Sequence, residues 1–165
     1  MFTLNPQEVH ASTIVVTGTL LVDKLKARVL FDSGATHSFI SPYFAKILAR
    51  DRVIMKDPLA IGIPAGRTIE VKYVFPACVI EIDSKVYPAD LIELDVLDFD
   101  VVLRMDWLSE NYASIDCHDK CIRFKTKESI DLIFQGERSE VLTRLISIIR
   151  ARRCLDKGCQ GFYHM

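Results

Sequence analysis

The chain has 165 residues, half of them hydrophobic, and a formal net charge of −1 at pH 7. That is the size of one domain with a tail, and the balance excludes an intrinsically disordered chain. It also speaks against nucleic acid as a direct partner, because binding phosphates needs a basic excess.

Residues 13–22 (TIVVTGTLLV) read as a strand, in which Gly18 marks a bulge or a close backbone approach. Residues 23–26 are polar enough to turn the chain, and residues 27–31 (ARVLF) return as a second strand. The small-residue loop Asp32-Ser33-Gly34-Ala35-Thr36 follows at once. Ser41 and Pro42 open a short helix as N-cap and first helical residue, and that helix ends near Ala49. Further strands are expected at residues 53–63, 68–75, 77–82, 86–93 and 100–103, with Pro64, Ala65 and Gly66 at a hairpin tip. Residues 105–111 make one or two helical turns, and residues 112–116 and 121–125 form a closing pair of strands.

The character then changes. In residues 139–153 (SEVLTRLISIIRARR), Val141, Leu142, Leu145, Ile146 and Ile149 recur at helical spacing behind Ser139 as N-cap. The division is therefore an all-β body over residues 10–126, with one or two short helices, and a linker helix and tail over residues 127–165.

No apolar run approaches the roughly 20 residues of a membrane span, so no membrane partner is expected. Residues 1–10 show neither a basic start nor an apolar core, hence no signal peptide, and a cytoplasmic, reducing setting follows. Five cysteines, Cys78, Cys117, Cys121, Cys154 and Cys159, are an odd count at irregular spacing. In that setting they are expected as free thiols. Neither Cys117-His118-Cys121 nor Cys154-Cys159-His164 shows a paired zinc-knuckle spacing, so no metal and no cofactor are expected.

The chemistry gathers at Asp32. Two carboxylates gripping one water can hydrolyse a peptide bond, one as general base and the other, protonated, polarising the carbonyl. Carboxylates about 3 Å apart share one proton and titrate as a unit. This needs an Asp at a strand end, in a loop with little side-chain bulk, a hydroxyl beside it and a Gly that lets backbone approach. Leu30-Phe31-Asp32-Ser33-Gly34-Ala35-Thr36 meets each condition. Asp-Ser-Gly by itself is also common turn chemistry, and it occurs once.

The surrounding residues narrow the reading. VLFDSGATHSFIS (residues 29–41) resembles the catalytic segment of retropepsin-like proteases from Ty3/gypsy-type retrotransposons of plants. PADLIELDVLDFDVVLRMDWL (residues 88–108) is similar to that family's second signature, and YASIDCHDKCIRF (residues 112–124) also fits. The resemblance covers about residues 13–125, and RRCLDKGCQGFY (residues 152–163) looks like the stretch leading to a following reverse transcriptase. It implies a closed acid-protease barrel, a homodimer with Asp32 from each chain, and a polyprotein peptide as substrate. In it Ser33, Gly34 and Ala35 brace the catalytic loop and Thr36 lies near the substrate channel. Ile63, Pro64, Ala65, Gly66 and Arg67 form a flap, and Leu103, Arg104 and Asp106 belong to the second signature. A single Asp-Ser-Gly agrees, since a two-fold axis supplies the second carboxylate.

One position departs from the pattern. Arg104 stands where the family has Gly close to the catalytic loop, and it needs a backbone shift or an escape route for its charge. The alternative function is therefore a catalytically silent binding or dimerisation module. Elsewhere simpler roles are expected. Trp107 anchors the core, Asp106 hydrogen-bonds near the short helix, and His37 and Ser33 are not the base and nucleophile. Asp90, Asp95, Asp98 and Asp100 form a solvated acidic stretch.

Overall fold

The computed structural model describes residues 15–34, 36–63, 67–95, 98–116, 118–125 and 132–137. Strands β1 (Val15–Val22) and β2 (Leu25–Asp32) form an antiparallel hairpin with unbroken register from Val15↔Asp32 to Val22↔Leu25. Its two turn residues, Asp23 and Lys24, both have positive φ (45° and 69°), the geometry whose twist matches the flanking strands. Gly18 therefore sits in no bulge. It marks a close approach, and the approaching group is the Phe134 ring, which a methyl at this position would strike.

After the Asp32 loop come the short strand β3 (Phe39–Ile40) and helix α1 (Pro42–Leu48). Ser41 caps the helix, its Oγ accepting the Phe44 N–H at 3.2 Å, and Ala49 closes it in the left-handed conformation. Phe44, Ala45 and Leu48 point inward. Strands β4 (Val53–Ile63) and β5 (Arg67–Ile82) make a long hairpin whose pairing runs out to Ile63↔Arg67. β5 is one strand rather than the expected two. Its ladder with β6 (Lys85–Glu93) shifts register between Phe75 and Cys78, at Pro76. Ala77 there has φ 50° and gives its N–H to the Asp90 carboxylate at 2.8 Å, so pairing resumes beyond the bulge.

Strand β7 (Val101–Leu103), helix α2 (Met105–Glu110) and strands β8 (Ala113–Asp116), β9 (Cys121–Phe124) and β10 (Leu132–Gln135) complete the described chain. The main sheet has seven strands in the order β1-β2-β7-β3-β6-β5-β4, and a β1–β5 pairing at Leu21↔Glu81 and Val22↔Ile80 joins its two halves. The other sheet has three strands, β10-β9-β8.

β10 lies beyond residue 126, in the stretch expected as linker, and the chain stays bonded to the body as far as Glu137. The Gly136 N–H donates to the Lys120 carbonyl at 2.9 Å and the Glu137 N–H to the Thr17 carbonyl at 2.8 Å, strapping β10 across β1. The helix expected at residues 139–153 and the tail after it lie outside the described residues. Gly136→Ala is expected to lower stability by about 2 kcal/mol in urea denaturation, since the added methyl overpacks a filled site. It would lie 2.6 Å from the Lys120 carbonyl, which cannot retreat without breaking its bond to Gly136.

The core lies between the two sheets. Trp107, 2% exposed, packs on Phe31, Tyr87 and Phe124 with ring centroids 5.8–6.1 Å away, and Phe134 closes the cluster from β10. A smaller cluster joins Phe39, Val71, Ile92 and Leu94 to half-buried Met55, Leu59, Ile61, Ile69 and Val74 on the β4–β5 arms.

Candidate active site

β2 is covered on both faces, and its side chains alternate between two clusters. Val29 and Phe31 enter the main core with Val101 and Leu103, while Leu30 packs with Val102 and Phe99 on the opposite face. β2 and β7 run parallel, with Val29↔Val101, Leu30↔Val102 and Phe31↔Leu103 opposed. Continuing that register by one rung brings Asp32 beside Arg104, both on the Leu30 and Val102 face. Asp32 is 3% exposed. Its Oδ1 accepts the Gly34 N–H at 2.8 Å, and its Oδ2 lies 3.7 Å from Arg104 Nε.

Arg104 escapes the crowding expected at a family Gly. Its backbone is extended (φ −122°, ψ −165°), a conformation any residue adopts, so no backbone strain is stored there. Its side chain, 18% exposed, lies between the Asp32 carboxylate and the Phe39 ring, with Cζ 4.9 Å from the ring centroid. Phe39 belongs to the cluster under the β4–β5 arms, so the guanidinium borders both the carboxylate and that apolar wall.

The loop after Asp32 is latched by Asp106. Its Oδ2 accepts the Ser38 N–H at 2.8 Å, and its Oδ1 accepts the Ser38 hydroxyl and the Trp107 N–H, each at 2.6 Å. Ser38 Oγ accepts the Arg104 N–H at 2.9 Å, and the Thr36 carbonyl accepts the Asp106 N–H at 3.0 Å. Residues 104–107 and the loop after Asp32 are thus one hydrogen-bonded unit. Ser38, 1% exposed, is a residue the sequence reading passed over; its signal is a small hydroxyl residue just ahead of the apolar Phe39-Ile40. Asp106→Ala is expected to cost about 3 kcal/mol in urea denaturation, because two buried Ser38 donors lose their acceptor.

The remaining candidates separate. Thr36 and His37 are exposed and face each other, Thr36 Oγ1 to His37 Nδ1 at 2.8 Å. Ser33 is half-buried and Leu103 fully buried. Ala35, Pro64, Ala65 and Gly66 lie outside the described residues, while Ile63 and Arg67 close the described part of the hairpin. Asp100 Oδ2 accepts the Arg28 N–H at 2.8 Å, Asp90 serves the bulge, and Asp95 and Asp98 are exposed. Among the described residues no three His, Cys, Asp or Glu side chains are placed to hold a metal ion. Cys78 and Cys121 are free and buried, and burial pushes the Cys78 thiol up to about 11.

A strand ending in the buried Asp32 of Asp-Ser-Gly, laid against a parallel strand in a largely antiparallel sheet, defines the acid-protease class of fold. The model of the retroviral aspartyl protease family matches residues 1–130, and the chain belongs to that family. Among solved structures, the chain is similar to the retroviral protease-like domain of Ddi1 from Leishmania major. The TM-score is 0.58 at 16% identity, over 78% of this chain and 100% of that one. It is also similar to EIAV protease complexed with the inhibitor HBY-793, with TM-score 0.50 at 19% identity, over 70% of this chain and 99% of that one. A search of curated protein sequences finds no match.

Proposed function

We propose that the chain is an aspartic endopeptidase that works as a homodimer, with Asp32 of each protomer forming the catalytic dyad. The observation that carries this reading is Asp32 itself: 3% exposed, at the end of a central strand, with one oxygen on the Gly34 N–H. The described chain offers one such carboxylate, and a two-fold axis through it supplies the other. One carboxylate takes a proton from the attacking water while the other, protonated, polarises the scissile carbonyl. The β4–β5 hairpin serves as the flap, covering the substrate and excluding water. The substrate is a polyprotein segment, in keeping with the resemblance to Ty3/gypsy-type retrotransposon proteases. The working compartment is reducing and cytoplasmic, which the unpaired thiols of Cys78 and Cys121 support.

Mixing tests the shared site. Wild-type chain refolded with a tenfold excess of Asp32→Asn chain is expected to lose about tenfold in activity per wild-type chain, because mixed dimers hold one carboxylate. Pepstatin is expected to stop the remainder. Unchanged activity per wild-type chain would show that each protomer works alone.

A second reading has its own observation. The Arg104 guanidinium, 3.7 Å from the Asp32 carboxylate, sets a cation where the dyad holds its shared proton. This favours a silent dimerisation or binding module, and a well-folded dimer without pepstatin-sensitive cleavage of any peptide would select it.

A further inference from the structure

We infer that a cavity between helix α2 and the β5–β6 bulge is a binding site for a basic side chain, Arg or Lys, carried by a polypeptide. The inference goes beyond the endopeptidase reading and stands without it, because neither Asp32 nor Arg104 is among the described residues that line this cavity.

Local structure gathers its charge. Asp106 and Glu110 stand at i and i+4 on α2, so they share one face of the helix. Asp90 is held at the bulge, where its Oδ1 accepts the Ala77 N–H at 2.8 Å. The three carboxylates line one cavity of about 430 Å³, a volume in the range of small-ligand sites. None of them is ion-paired among the described residues, and no Lys or Arg is among the described residues lining the cavity. His37 is the one described lining side chain able to carry positive charge, and its Nδ1 is engaged with Thr36 Oγ1 at 2.8 Å. A cleft lined by one sign of charge concentrates the opposite one.

A second, independent observation asks for an oxygen. Trp107 lines the same cavity, is 2% exposed, and its buried Nε1 has no acceptor among the described residues. An indole N–H can only donate, and leaving it buried without an acceptor is costly. Met55, Val74, Pro88 and Ile92 give the cavity its apolar wall. A basic residue within a peptide answers all three features. Its methylene stem covers the apolar wall, its charged head meets the carboxylates, and a peptide carbonyl is on offer to the indole. A polyamine brings the charge and the stem but no acceptor.

Trp107 is the chain's one tryptophan, so its emission reports on this cavity wall directly. Full-length Asp32→Asn chain, chosen so that no cleavage intervenes, is titrated with tryptophan-free octapeptides alike except for two central residues, Arg or norleucine. The Arg peptide is expected to change Trp107 emission at about tenfold lower concentration, the scale of two exposed charge contacts. That advantage is expected to fall below about twofold when Asp90→Asn/Glu110→Gln is added. Both residues are exposed, and Asn keeps an oxygen for the Ala77 N–H, so the fold is retained, as circular dichroism checks. Glu110→Asp is expected to keep the advantage, and spermidine to need at least about tenfold more than the Arg peptide. Equal titration by the two peptides, or an advantage that survives Asp90→Asn/Glu110→Gln, overturns the inference. So does calorimetric binding of the Arg peptide without a change in Trp107 emission, no binding of it at all, or spermidine titrating as the Arg peptide does. Binding is read without cleavage, so failure of the endopeptidase reading leaves this result untouched.

Discussion

Replacing Asp32 with Asn is expected to reduce peptide cleavage by at least about 1,000-fold while leaving the fold in place, general acid–base chemistry being the whole of the proposed mechanism. Asn keeps the shape of the side chain, and its carbonyl oxygen still accepts the Gly34 N–H that Asp32 Oδ1 accepts at 2.8 Å. What disappears, in the proposed mechanism, is the base that takes the proton from water, together with the partner in the shared proton. Stability is expected to fall by about 2 kcal/mol, because the Asn NH2 then stands where Oδ2 faces Arg104 Nε at 3.7 Å and cannot accept from the guanidinium. Thermal melting reads the fold, and kcat/KM on one peptide reads the chemistry. If cleavage survives at more than a few per cent, the water is activated elsewhere and the dyad mechanism falls.

Arg104→Gly is the second large effect, and it runs in the other direction. Cleavage of a neutral peptide is expected to rise about tenfold, the scale of one modest electrostatic contact in a transition state. In the proposed dyad the guanidinium stands 3.7 Å from the reacting carboxylate, a charge contact that the transition state does not need. Removing the side chain also opens the space between Asp32 and Phe39, where Cζ now stands 4.9 Å from the ring. The same change removes a charge partner of a carboxylate that is 3% exposed, so a loss of about 2 kcal/mol in stability is expected alongside the gain. Rates are therefore to be compared at matched folded concentration. Equal cleavage by the two proteins would show that Arg104 does not restrain the site.

Local physics accounts for most of what could be read from the residues. Helix α1 has its cap, its proline and its end where short-range hydrogen bonding and φ preference put them. Strand β4 has its expected bounds because its neighbours are turn formers and a polar run. β5 was legible as strand but not as one strand, since the Asp90 carboxylate that carries the chain through Pro76 lies on another strand, 13 residues on. β3 has two residues and no pattern of its own; pairing with β6 and β7 defines it. β10 is a strand because β9 and Thr17 receive it. Its alternation of half-buried and exposed residues spans only four positions.

The candidate site divides the same way. Asp32 at a strand end and the small loop after it were readable from composition and order, because strand end and turn chemistry are local facts. So was the oddity of Arg104. Where its charge goes was not readable. That depends on the parallel register of β2 and β7, segments about 70 residues apart, and on β3 bringing Phe39 to the other side of β7. The Ser38–Asp106 latch likewise spans 68 residues. Sequence by itself determined that one acidic loop ends an apolar strand. Tertiary structure decided what stands beside that acid, because cross-strand neighbours are chosen by the packing of the whole sheet rather than by the residues on either side.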